Sequence, residues 1–251
     1  MKNRTVLKRI VLALCVLMTT VSSHTFARGG GDTGTYHTAS QAVNSSAYLP
    51  PPPQEGMPTF KEDISAYKEG YKLKGTPRWV QASLDSSLEM KNIAHVFSVP
   101  LGTTISPVTT PALYKILSNI RKDVVDYATS EAKKHYQRQR PFVYFGHHTC
   151  QTPDEEVQLR HNGSYPSGHS AFGWSAALIL TQLRPERATY ILYRGYEFGQ
   201  SRVICGAHWQ SDVNAGRLVG AVEYAYLQAI PEFQTDLRKA ENEIKQQQRG
   251  K

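Results

Sequence analysis

Thr110-Pro111-Ala112-Leu113-Tyr114-Lys115-Ile116-Leu117-Ser118-Asn119-Ile120-Arg121-Lys122-Asp123-Val124-Val125-Asp126-Tyr127 is the stretch that decides the fold class. Leu113, Ile116, Leu117, Ile120, Val124 and Tyr127 recur at three- and four-residue steps, which draws one apolar stripe along a helix. Thr110 and Pro111 supply its start, threonine as N-cap and proline at the first helical position, where an N–H has no partner anyway. Such a stripe is core, not a cofactor-binding face. Working outward, no segment alternates apolar and polar residues over a strand's length. Helices are expected over residues 60–74, 88–97, 167–183, 185–198, 208–227 and 231–247, with another start at Thr76-Pro77. The reading is all-α: a single helical-bundle domain over residues 59–251, long enough to bury a sizeable core.

The N-terminal part is of another kind. Lys2, Arg4, Lys8 and Arg9 precede an apolar core over residues 10–21 that is too short for a membrane span. Thr25 and Ala27 suit the positions before a cleavage site, with Ser23 as the alternative, so residues 1–27 read as a cleaved secretory signal peptide and the product as periplasmic. Removing them takes four basic groups from 29 and no acid from 21, which leaves 25 against 21, about +4. No basic run with interleaved aromatics remains, so nucleic-acid binding is excluded as a main function. Residues 28–58 are rich in Gly, Ser, Thr and Pro and form an extended segment without a core of its own. Within it Pro50-Pro51-Pro52-Pro53 should form a short polyproline rod that lies along the domain or docks a protein partner. Cys15 leaves with the signal, and Cys150 and Cys205 stay as an even pair in an oxidising compartment, expected to bridge, the alternative being two separately buried thiols.

Three segments carry candidate chemistry. In Lys133-Lys134-His135-Tyr136-Gln137-Arg138-Gln139-Arg140-Pro141, Lys133 and Arg140 are seven apart, two turns of a helix, and would share a face that grips an anion; a solvated basic helix end is the plainer reading. Pro166-Ser167-Gly168-His169 opens an apolar helix, and the Ser167 hydroxyl with the Ser167 and Gly168 N–H groups would cradle an anion, unless Ser167 is an ordinary N-cap. In Ser201-Arg202-Val203-Ile204-Cys205-Gly206-Ala207-His208-Trp209-Gln210-Ser211-Asp212, His208 and Asp212 are four apart at a helix start. A carboxylate there can hold Nδ1–H and leave Nε2 free as a nucleophile, or form a merely structural pair. His147-His148 beside Cys150 lacks a second ligand pair at zinc spacing, so no metal site is expected.

Jointly the three segments resemble the signature of the type 2 phosphatidic acid phosphatase superfamily, K-x6-R-P, then P-S-G-H, then S-R-x5-H-x3-D, whose pocket is shared with the vanadium haloperoxidases. A wider likeness, through Gly163-Ser164-Tyr165-Pro166, Arg194-Gly195-Tyr196-Glu197 and Cys205 to Asp212, is to the secreted bacterial class A nonspecific acid phosphatases, including apyrase-like members. The resemblance implies the family's helical-bundle fold and a two-step, cofactor-free phosphoryl transfer from phosphate monoesters or nucleoside tri- and diphosphates, open to inhibition by vanadate. It implies His208 as the nucleophile that becomes phosphohistidine, Asp212 as its orienting group and a protonated His169 as general acid. Lys133, Arg140, Ser167, Gly168 and Arg202 would bind the phosphate. Two rivals stand beside it: a vanadium-dependent haloperoxidase, and a non-catalytic secreted anion-binding or adhesion module. A homo-oligomer is the default expectation, and with no span in the sequence a membrane lipid phosphatase is excluded.

Overall fold

The computed structural model describes residues 34–249; the expected signal peptide lies outside them. Among the described residues there is no strand, and the helices are α1 (Pro58–Tyr71), α2 (Pro77–Leu84), α3 (Met90–Leu101), α4 (Pro111–Lys122), α5 (Ser130–Tyr136), α6 (Pro141–Phe145), α7 (Pro153–Arg160), α8 (Gly168–Leu183), α9 (Ala188–Ile204), α10 (Gln210–Leu227) and α11 (Pro231–Arg249). The expected all-α fold is the one observed. No helix among the described residues is long and apolar enough to cross a membrane.

α8 is the centre of the bundle. Ala171, Phe172, Ala176, Ala177, Ile179 and Leu180 are wholly buried, so the helix is covered all round, as its nearly continuous apolar sequence requires. It packs on α9 and α10. The crossing with α10 is backbone against backbone: a Cβ on Gly220 would stand 2.3 Å from the Ala171 carbonyl oxygen, and one on Gly216 2.5 Å from that of Ser167. This crossing sets the start of α10 beside the start of α8. α9 is joined to α8 by a short connection and runs back along it, so its last turn, with Ser201 and Arg202, returns to the same place. Three helix ends thus meet at one point.

The long helix expected from residue 110 onward is interrupted. α4 gives way to a π-helical turn, Asp123–Ala128, before α5 begins. Leu113, Ile116, Leu117, Ile120 and Val124 are fully buried as the stripe predicts, but beyond the wider turn the buried position is Ala128 and not Tyr127. Nor does Thr110 cap α4. Its hydroxyl faces the Thr104 and Ser106 carbonyls, while Glu243 of α11 accepts from the N–H groups of Ala112 (2.8 Å) and Leu113 (3.2 Å). α11 is thereby tied to α4, against which it packs.

The described part of the extended segment lies on this body, with Tyr36 and Leu49 buried. The carbonyls of Pro50 and Pro53 accept from Tyr165 Oη (2.8 Å) and Arg138 Nη2 (3.4 Å) of the same chain. Tyr36 N–H donates to Asp123 in the π turn at 2.9 Å. His37 has acceptors on both ring nitrogens, Glu223 at 2.7 Å and the Thr38 carbonyl at 3.0 Å. Burial alone would lower the His37 pKa, but the hydrogen bond and charge of Glu223 outweigh it and raise it from 6.5 to about 9. Burial pushes Asp123 up from 3.8 to about 7 against the Tyr36 N–H and the His37 charge. Both groups hold protons more tightly folded than unfolded. The stabilisation from Asp123 is therefore complete below its unfolded pKa of 3.8 and lost as pH rises through about 7, and that from His37 is complete below 6.5 and lost through about 9. Between pH 6.5 and about 9 the melting temperature of the wild type is expected to fall more steeply than that of His37→Gln; parallel curves for the two proteins would refute the assignment.

Candidate active site

Ser167 is the N-cap of α8: its Oγ accepts from Ser170 N–H at 3.3 Å and from Ser170 Oγ at 2.9 Å. Its own N–H is taken by the Asp212 carbonyl at 3.0 Å, so it is not open to an anion as the sequence suggested. The close α8–α10 crossing is the reason. The next two amides, Gly168 and His169, donate to no protein group, and the Ser167 hydroxyl, already accepting twice, keeps its proton to donate. These donors point outward at the positive end of the helix.

Lys133 and Arg140 do converge, but not along one helix face. α5 stops at Tyr136, Gln137 turns the chain at a φ of 44°, and Arg140 is the extended N-cap of α6. What joins the two cations is the Gly163 carbonyl, 2.7 Å from Lys133 Nζ and 3.3 Å from Arg140 Nη2. Arg140 is nearly buried; its Nε reaches the Leu159 and Asn162 carbonyls, and its Nη1 the Ala207 carbonyl and His208 Nε2, the last at 2.9 Å. A guanidinium can only donate, so His208 Nε2 is an unprotonated acceptor and the imidazole proton sits on Nδ1.

On that side stands Asp212, 3.4 Å from Nδ1 and fully buried. It also accepts from Arg138 Nη1 (2.6 Å), Ser164 Oγ (2.5 Å) and Trp209 N–H (2.8 Å). Arg138 in turn binds Asp63 of α1 at 2.7 Å and Ser211 at 2.7 Å. The sequence reading did not single out Arg138, Ser164 or Asp63 as functional. Arg138 and Ser164 stand inside the motif stretches, whereas Asp63 arrives from 75 residues away with no local signal.

Arg202, in the last turn of α9, is fully buried. Its Nη2 donates to Gln151 at 2.6 Å, while Nε and Nη1 have no partner. The Gln151 segment is fixed to α9 by a Cys150–Cys205 disulfide, which closes a 55-residue separation and is worth about 4 kcal/mol against the unfolded chain. With Cys150 so used, His147 bonded to Tyr67 Oη at 2.8 Å and His148 beside Glu156, these side chains are otherwise engaged. α7 was also missed, although Thr152-Pro153-Asp154-Glu155 is a capping box with proline at the first position.

Burial and then mutual repulsion set the electrostatics. Burial lowers Arg202 to about 9 and Arg140 to about 10, and holds Lys133 well below its usual range, with Arg140 the next cause for both Lys133 and Arg202. His208 is held far below its usual value by burial and by Arg140, Lys133 and Arg202. His169, largely buried and with Nε2 2.8 Å from the Ser86 carbonyl, is pushed down by burial and Arg202. Three crowded cations with free N–H donors fit a compact anion of high charge. Burial and the same cations that would hold phosphate thus disfavour, in the protein alone, the charged His169 that the sequence reading expects.

The family description that matches, over residues 109–233, is the PAP2 superfamily. The chain is 54% identical over 209 residues to a non-specific acid phosphatase of Salmonella typhi, covering 83% of both chains. It is 53% identical to one of Salmonella typhimurium over the same length and shares, and 47% identical over 205 residues to one of Providencia stuartii, covering 82% of both. The chain belongs to the PAP2 superfamily and is a phosphatase of its class A acid phosphatase branch.

Proposed function

We propose that the protein hydrolyses phosphate monoesters, and also nucleoside tri- and diphosphates, through a phosphohistidine on His208 and without a metal cofactor. The observation that carries this reading is Arg202, buried with Nε and Nη1 unpartnered, in a group with Lys133 and Arg140 around an imidazole whose Nε2 is deprotonated. The phosphoryl oxygens take the free donors of Arg202, the Ser167 hydroxyl and the Gly168 and His169 amides, and draw Arg140 off Nε2. The freed lone pair attacks phosphorus in line, the P–O ester bond breaks, and the imidazolium charge is stabilised by Asp212. The leaving alkoxide takes a proton from His169. Water then attacks the P–N bond, giving its proton back to His169, and orthophosphate departs with His208 restored.

His169 must be charged for the first step, and what supports this is the anion itself: a bound phosphate offsets Arg202 and Arg140, the charges that otherwise suppress its pKa. A monoester with a second pKa of about 6 also carries a proton in when the medium is acid. With Nε2–H given to Ser86, Nδ1 is the nitrogen that gains and loses the catalytic proton. Residues 1–27 are the export signal in this reading, and the enzyme acts in the periplasm.

The test is phosphate release from p-nitrophenyl phosphate, ATP, ADP and AMP by the purified protein, with chelator present, across a pH series. Release that resists chelator, falls with vanadate and peaks at acidic to near-neutral pH is expected. Activity abolished by chelator and restored by a divalent cation would overturn metal independence, and absence of release from every substrate would overturn the whole reading.

A further inference from the structure

Resting on the proposed role of His169, the geometry points to a positioning clamp for that residue built from Asp85 and Arg194, neither of which reaches the phosphate site itself. The carbonyl that accepts from His169 Nε2 belongs to Ser86, the residue after Asp85. Asp85 ends α2 and is wholly buried. Its carboxylate accepts from both terminal nitrogens of Arg194, Nη1 at 3.1 Å, and from Ser201 Oγ at 2.6 Å. Ser201 accepts from Arg78 Nη1 at 2.9 Å in turn. Ser86 is thus pinned to α9 through its neighbour.

A second route leads from the same arginine. The Arg194 guanidinium lies 5.8 Å from the centre of the Phe198 ring, and Phe198 lies nearly parallel to the His169 ring, 21° apart at 6.5 Å. Arg194 therefore constrains both the acceptor of His169 and the surface its ring lies against. This gives Ser201 of the S-R pair a purpose without substrate contact: it fastens Asp85 while Arg202, next to it, faces the anion. A loosened clamp would leave phosphate binding and nucleophilic attack intact and misdirect only the proton to the leaving group.

The experiment compares kcat and KM on p-nitrophenyl phosphate, whose phenolate departs without a proton, and on glycerol phosphate, whose alkoxide needs one. Arg194→Lys keeps the charge and loses the bidentate fork; Phe198→Leu, a change within the core, loosens the second route and leaves the Asp85 route in place. The clamp predicts for each a kcat on glycerol phosphate lower by roughly 10- to 100-fold, a much smaller change on p-nitrophenyl phosphate, and unchanged KM. It also predicts that Arg194→Lys adds nothing to the leaving-group dependence of His169→Ala. Equal losses on both substrates, or no loss, with His169→Ala still selective would overturn the clamp alone. A His169→Ala variant without leaving-group dependence would overturn the role of His169, and the clamp with it.

Discussion

His208→Ala is expected to lose at least about 10⁴-fold in kcat on every phosphate ester. The reason is the position of this imidazole. Its Nε2 accepts from Arg140 at 2.9 Å and its Nδ1 faces Asp212, so it is held in the one tautomer that can attack phosphorus. Burial, and then Arg140, Lys133 and Arg202, favour its neutral form. Alanine removes the atom on which the proposed phosphohistidine forms. Two measurements check it: steady-state release, and rapid quenching with labelled substrate to trap a phosphoenzyme that survives alkali and is lost in acid. Near-wild-type turnover, or an acid-stable adduct, would remove His208 from the role. Phosphate should still bind to the variant, since Lys133, Arg140, Arg202 and the α8 amides remain.

The second large effect belongs to His169. Replacement by alanine should lower kcat by about 10² to 10⁴ for alkyl phosphates, whose leaving oxygen needs a proton, and by much less for p-nitrophenyl phosphate. The wild-type profile should fall on its alkaline side as His169 and the bound phosphate lose their shared proton, and the variant should lack that limb for good leaving groups. Equal losses for both classes would rule His169 out as the acid. A pH-independent wild-type rate would show that its charge does not matter.

How much of this was legible before the structure can be judged residue by residue. The stripe Leu113, Ile116, Leu117, Ile120 and Val124 announced a buried helix face because burial and a 3.6-residue period are properties of the local chain. The break at Asp123–Ala128 left no local mark, and the partner of its first residue, the Tyr36 N–H, lies 87 residues away from Asp123. The motif letters named the cations and both histidines. They did not tell that Lys133 and Arg140 meet through the Gly163 carbonyl across a chain turn, nor that the Ser167 amide is taken by Asp212. The second follows from the glycine-lined crossing of α8 and α10, and the first from Gly163 lying so close on α5 that a Cβ there would stand 2.7 Å from the Lys133 carbonyl oxygen; both are tertiary events. Asp63 and Arg138 escaped for the same reason: a buried carboxylate and its arginine are recognisable as a pair only when folding has joined them.

The three helix ends that meet at Ser167, Arg202 and Asp212 belong to the most deeply packed part of the chain. The phosphate end of any ester therefore meets a surface as rigid as the core. The Gln151 side of the site stands instead on a connection outside the helices, Gly146 to Thr152. A change of leaving-group preference can then come from that connection alone, while the grip on the phosphoryl group stays rooted in the bundle.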